Sequence, residues 1–378
     1  MNRSSLGTFG AILLAAMPVA SARIPSRIDA ASATVAQSES VAGRAEVQPA
    51  VTPDPIILFD VLPSANSRER ARIMGAQKFY VCYQSADPNA GKTGQIDSGK
   101  VVEAIRRETQ GVQPEWGMLD FEDPFLDNLK KGPPSPEWKR TVMTMVALIQ
   151  SVKTEFPRTK WTYYGVPNLE LWMDGSSWDR LGDDDKRKRI VDAVATFEPI
   201  TTQLDWVSPT VYGKYDPAMQ TPSNVESTLR AERAWRVAQV GVARLCAGSK
   251  PVLPTIDPFW TPGGKAPFAR IIPRRFFIEQ QVVPTLEAGA SGVAIWTAIE
   301  YFLDVAVQGK TPSGTVEPNF GPSEWRDALT KDFLGGQAPT DWSDPTVRQA
   351  LVTGTSDSIA RAMMDIKQWA AHRTLPPQ

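Results

Sequence analysis

The stretch Trp116-Gly117-Met118-Leu119-Asp120-Phe121-Glu122-Asp123-Pro124 decides the fold. A short apolar run turns polar at its carboxyl end and stops at a proline, the pattern of a strand buried on both faces of a parallel sheet. In such sheets the reactive groups sit where the strands end. Strand side chains alternate, so Asp120 and Glu122 share one face, about 7 Å apart at Cα. Two carboxyls on one face repel when both are ionised, which raises one pKa and leaves a protonated acid near neutral pH. The competing reading of this segment alone is a solvated carboxylate pair capping the following loop.

Outward from this strand, short apolar runs alternate with longer amphipathic ones. The pattern places strands at Ile56 to Val61, Phe79 to Tyr83, Trp116 to Glu122, Lys160 to Val166, Trp206 to Tyr212, Val252 to Asp257 and Gly292 to Thr297. Helices fall between them at Ser98 to Glu108, Pro136 to Phe156, Asn224 to Cys246 and Pro273 to Glu287, several opened by Pro, Ser or Asn as helix entry favours. This alternation predicts an α/β fold, a TIM-like (β/α) barrel of seven or eight strands, and a chain of 378 residues can hold one, since such barrels fill about 250 residues. The last stretch differs. Pro312 to Pro322 reads as a loop, while Ser323 to Leu334 and Pro345 to His372 read as helices without strands between them, a C-terminal helical appendage. The domain reading is therefore a signal peptide over 1–22, a flexible lead-in over 23–54, the barrel over 55–312 and the helical extension over 313–378.

Composition narrows the chemistry. Lys plus Arg total 41 against 42 for Asp plus Glu, so no global field draws in a polyanion such as nucleic acid. A single histidine, His372, makes histidine triads and histidine-rich metal sites poor explanations, so catalysis rests on carboxylates and aromatics, with no metal and no cofactor. Arg3, the apolar stretch Leu6 to Met17 and Ala20-Ser21-Ala22 read as a cleaved secretory signal. The apolar run is shorter than the roughly 20 residues that span a bilayer, so a secreted or periplasmic monomer without membrane insertion is expected. Export would allow a disulfide, but Cys82 and Cys246 fall in different predicted units and read as buried thiols.

Other strand ends carry candidates. Tyr163 and Tyr164 point to opposite sides, and Tyr164 has the parity to face the barrel mouth. Tyr212 ends the fifth predicted strand and Trp296 the seventh. Each aromatic alone reads as core or pocket wall, but three at strand ends around a carboxyl pair suit a sugar, with its apolar faces and hydroxyl edges. Asp60 and Asp257 also end strands, where they bind sugar hydroxyls or cap loops. Ala90-Gly91-Lys92-Thr93 has the ending of a phosphate-binding loop without its leading glycine, since Ala86 stands there, so nucleotide binding is rejected. Asp183 to Arg189 reads as a helix start, acidic first and basic after. Arg274-Arg275 reads as solvated surface.

Together these segments resemble the hyaluronidases of glycoside hydrolase family 56, in order and with comparable spacing over about Pro55 to Tyr301. Leu119-Asp120-Phe121-Glu122 is similar to the family's Ile-Asp-Trp-Glu. Trp161 to Pro167 resembles Trp-Gly-x-Tyr-x-x-Pro, Ser208-Pro209-Thr210-Val211-Tyr212 resembles Tyr-Pro-Ser-Ile-Tyr, and Gly292 to Trp296 with Glu300-Tyr301 resembles Gly-Val-x-x-Trp with its trailing Trp-Glu. The resemblance implies retaining, substrate-assisted cleavage of a β-N-acetylhexosaminide in a glycosaminoglycan-like polysaccharide. It puts the acid on Glu122 and its supporting carboxylate on Asp120, with Tyr164 and Tyr212 holding the acetamido group and Trp296 walling the sugar. The family continues after the acid with Trp-Arg-Pro, whereas Asp123-Pro124-Phe125 follows here, and its cysteine framework and cysteine-rich C-terminal module are absent. Two alternatives remain open: a conventional retaining glycosidase with a protein nucleophile such as Asp257, and a non-catalytic carbohydrate-binding barrel of the cell envelope.

Overall fold

The computed structural model describes residues 54–133, 135–169, 175–213, 222–258, 272, 274–297, 330–331, 334–342, 344–373 and 375. The signal segment, nearly all of the lead-in, the 312–322 loop, most of the helix expected at Ser323 to Leu334 and the Glu300-Tyr301 pair lie outside them.

In chain order the elements are β1 (Ile56–Phe59), α1 (Ala65–Ile73), β2 (Gln77–Tyr83), α2 (Ala90–Thr93), α3 (Ser98–Glu108), β3 (Trp116–Asp120), α4 (Phe125–Lys130), α5 (Pro136–Glu155), β4 (Lys160–Tyr163), α6 (Gly175–Asp179), α7 (Asp183–Thr201), α8 (Pro222–Ala247), β5 (Thr255–Ile256), α9 (Arg274–Phe277), α10 (Val283–Glu287), β6 (Gly292–Ile295) and α11 (Pro345–His372). A 3-10 turn, Gln84–Ala86, follows β2, and a π turn, Ile278–Val282, joins α9 to α10.

Among the described residues six strands form one sheet in the order β4-β3-β2-β1-β6-β5, every neighbouring pair parallel. The expected seven or eight strands are therefore corrected to six. The stretch expected as a fifth strand, Trp206 to Tyr212, forms isolated bridges instead: Ser208 with Tyr164, Val207 with Val252 and Thr210 with Thr255. It thus touches both outer strands of the curled sheet. Prolines explain why no regular ladder forms, because Pro209 lies within the stretch and Pro251 faces it, each without an N–H to donate. Their carbonyls still accept: Val207 N–H bonds to Pro251 O at 2.9 Å and Thr255 N–H to Pro209 O at 2.8 Å.

Alternation along each strand sorts the core into inside and outside. Leu58, Phe79, Trp116, Met118, Trp206, Leu253 and Ala294 pack together inside the curl. Their sequence neighbours point outward: Cys82, Leu119, Trp161 and Tyr163 meet the faces of α3, α5 and α7, while Ile57, Phe59, Val293 and Ile295 meet α11 and the 274–287 segment. Cys82 and Cys246 are both buried thiols in that outer layer. Burial pushes the Cys82 thiol up to about 12, which leaves it a core group and not a nucleophile.

The helices start where their sequences cap them. Asp97 accepts from Gly99 N at 3.0 Å to open α3, and Ser135 accepts from Trp138 N at 3.0 Å to open α5, with Pro136 in its first turn. Asp344 does the same for α11 through Thr346 N at 2.7 Å. α11 then buries Leu351, Ile359, Met363, Ile366 and Trp369 against the outer face of β1 and β6. Ser67 Oγ donates to Asp357 Oδ1 at 2.6 Å and ties α1 to it. No helix among the described residues is long and apolar enough to cross a membrane.

Candidate active site

The interior face of each strand changes character at its carboxyl end. β2 runs inward through Phe79 and Val81 to Tyr83, β3 through Trp116 and Met118 to Asp120, and β4 through Thr162 to Tyr164. β1 leads to Asp60, the bridge segment to Tyr212, β5 to Asp257 and β6 to Trp296. Parity carries one face of every strand from an apolar floor to a polar and aromatic mouth. The backbone register sets Tyr83 directly against Asp120.

The aromatic wall is continuous. The rings of Tyr212 and Trp296 stack with centroids 6.1 Å apart and planes 17° from parallel, and Tyr164 lies 6.2 Å from Tyr212 on its other side. Trp296 Nε1 donates to the Tyr83 hydroxyl at 3.2 Å, extending the wall to β2. Tyr83 is 43% exposed, so this wall opens to solvent. Tyr163, in contrast, turns outward, and its hydroxyl donates to Met145 O at 2.8 Å on α5.

Asp120 and Glu122 stand on this face half-buried. Burial first, and the charge of Glu122 second, hold the Asp120 carboxyl well above the usual carboxylate range. Burial also raises Glu122, with the neighbouring Asp123 carboxylate adding to it. The pair therefore retains a proton to higher pH than either carboxyl would alone. Asp120 Oδ1 is shut away from solvent without a hydrogen-bond partner among the described residues, while the Tyr164 hydroxyl meets those of Tyr212 and Thr210. A buried polar atom left unpaired costs about 1–3 kcal/mol, so Asp120 Oδ1 is placed to accept from a polar ligand.

Asp60 and Asp257 are both buried. Asp60 Oδ1 accepts from Thr297 N at 2.8 Å, from Thr297 Oγ1 at 2.5 Å and from Val61 N at 2.6 Å. It thereby ties the end of β6 to the end of β1 and fixes the residue next to Trp296, which is the loop-capping role. Asp257 lies four places from β3 in the sheet order. On α8, Gln239 Nε2 donates to Asn168 Oδ1 at 2.9 Å and to Thr210 O at 3.3 Å, so this helix fixes the loop after Tyr164.

The sequence matches no family model, and no curated protein matches it. Solved structures do resemble it. Bee venom hyaluronidase is 13% identical over 65% of this chain and 92% of that one, with a TM-score of 0.41. The same enzyme in complex with a hyaluronic acid tetramer gives 14%, 65%, 91% and 0.41. Fungal beta-1,4-galactanases give 14%, 70%, 84% and 0.35.

Two contributors escaped the sequence reading. Tyr83 follows from the same parity that singled out Tyr164, since Phe79, Val81 and Tyr83 alternate along β2. Gln84 leaves no such signal, because its place depends on how the turn after β2 meets the turn after β3. The charged candidates fell elsewhere: Arg274 pairs with Asp365 at 3.0 Å and Arg275 with Glu279 at 2.7 Å. α7 opens at Asp183 with an acidic first turn. No cluster of His, Cys, Asp and Glu among the described residues is arranged to hold a metal.

Proposed function

We propose that this chain is an exported, monomeric glycoside hydrolase that cleaves β-N-acetylhexosaminide linkages in a glycosaminoglycan-like polysaccharide with retention of configuration. The observation that carries the reading is the Asp120–Glu122 pair, raised in pKa and with Asp120 Oδ1 unengaged, beside the stacked Tyr212 and Trp296 rings. Glu122, coupled to Asp120, donates its proton to the glycosidic oxygen as the bond to the anomeric carbon breaks. The substrate's acetamido carbonyl oxygen forms the new bond to that carbon, giving a cyclic intermediate. Tyr212 donates to the acetamido carbonyl oxygen and orients the attack, and Asp120 accepts from the acetamido N–H and stabilises the positive charge that develops on the group. Water then opens the ring, losing its proton to Glu122. Tyr164 packs beside Tyr212 and limits the depth of the pocket, and Trp296 stacks on the apolar face of the sugar.

The test is release of reducing ends from hyaluronan, chondroitin and chitin oligosaccharides by the wild type and by Glu122→Gln. Loss of the general acid should lower kcat by about 10²- to 10⁴-fold. Unchanged activity in the variant overturns the mechanism, and wild-type activity on none of the polymers leaves a carbohydrate-binding barrel.

A further inference from the structure

Glu122 lies beyond the last residue of β3, so the sheet itself does not fix it. The ladder between β2 and β3 ends at the Tyr83–Asp120 pair, and β2 then breaks into the 3-10 turn Gln84–Ala86. At this point a side chain takes over from the strand. Gln84 Oε1 accepts from Glu122 N–H at 3.0 Å, and Gln84 Nε2 donates to Asp123 O at 2.8 Å. One carboxamide thus grips two consecutive residues beyond the strand end, accepting from Glu122 and donating to Asp123. The carbonyl of Glu122 is held too, accepting from Leu126 N at 2.8 Å. With both backbone groups of Glu122 bonded, only its side chain is left to turn.

The space for this clamp comes from Gly91 in α2. A Cβ there would sit 2.8 Å from Gln84 Nε2 and 3.6 Å from Asp123 O, too close for the amide to stay in place. Gly91 and Gln84 therefore form one device, contributed by the loop after β2 and acting on the loop after β3.

We propose that Gln84, seated by Gly91, is a positioning residue that clamps the backbone beyond the end of β3 through its side chain and fixes Glu122 for proton transfer. The inference rests on the reading of Glu122 as the acid. A displacement of about 1 Å at a reacting group can cost on the order of 10²-fold in rate, which is the scale of effect such a clamp would guard.

Amide hydrogen exchange at Glu122 and steady-state kinetics on the polymer that the wild type cleaves test it together. Gln84→Met keeps the side-chain volume and removes both bonds. It should speed exchange of the Glu122 amide about five- to tenfold, as expected for one lost hydrogen bond. It should also lower kcat about 10- to 100-fold with KM nearly unchanged. Gly91→Ala should reproduce both effects, and the double variant should be no worse than the worse single one, because the two residues act as one unit. Unaltered Glu122 exchange in Gln84→Met overturns the clamp. Faster exchange with an unchanged kcat overturns the positioning role. Failure of the acid assignment would be seen separately, as full activity in Glu122→Gln.

Discussion

At the amino-terminal end of the barrel interior Trp116 and Trp206 meet edge to face at 5.8 Å and Phe79 meets Trp206 at 6.4 Å. Their polar atoms are matched: Trp206 Nε1 donates to Lys160 O at 3.0 Å and Trp116 Nε1 to Gln77 Oε1. A few residues further along the same faces stand Tyr83, Asp120, Tyr212 and Trp296, where rings stack beside raised carboxyls and Asp120 Oδ1 lacks a partner among the described residues. The strands and their parity are the same in both places. What changes is whether the polar groups are satisfied within the protein. The floor closes on itself, and the mouth leaves Asp120 Oδ1 open to accept, the division expected between the two ends of a curled parallel sheet.

Substitutions at the two ends should consequently differ in what they cost in stability and in activity. Trp206→Ala empties the floor and should cost about 3–5 kcal/mol, measured by denaturant unfolding. A cost below about 1 kcal/mol would mean the floor is not close-packed. Tyr212→Phe removes a buried hydroxyl that meets Tyr164 and should cost no more than about 1 kcal/mol, while kcat/KM falls about tenfold through the lost contact to the acetamido group. A loss of stability as large as that of Trp206→Ala would place that hydroxyl in the scaffold and erase the distinction between floor and mouth.

The parts of this division that sequence alone conveys are those set by parity and local capping. Asp120 and Glu122 share a face because they are two apart on a strand, and α3 and α11 occupy the spans their caps define, Ser98–Glu108 and Pro345–His372. Strand number is different. Trp206 to Tyr212 has the apolar pattern of a strand, yet Pro209 and Pro251 reduce it to bridges, and the stretch expected over Val252 to Asp257 shortens to Thr255–Ile256. The helix expected over Pro273 to Glu287 keeps its place but carries a π turn at Ile278–Val282, which periodicity does not reveal. Gln84 is the clearest limit: a half-exposed glutamine after a strand looks like any surface residue until the turn beyond β3 is brought against it.

The central claim is that the mouth holds a proton on its carboxyl pair for transfer to a leaving group. Burial raises both groups, with the Glu122 charge adding at Asp120 and the Asp123 charge at Glu122, so the neutral acid persists to higher pH and the alkaline limb of activity moves up with it. The same shift makes the pair's contribution to stability complete at low pH, with loss as pH rises through the folded-state pKa values. Carbon-13 NMR titration of the Asp120 and Glu122 side-chain carboxyls measures this without any substrate. Two coupled titrations above the ordinary values of about 3.9 and 4.3, with the remaining one moving down in each of Asp120→Asn and Glu122→Gln, is the expected result. Independent titration of both carboxyls at ordinary values would contradict the account.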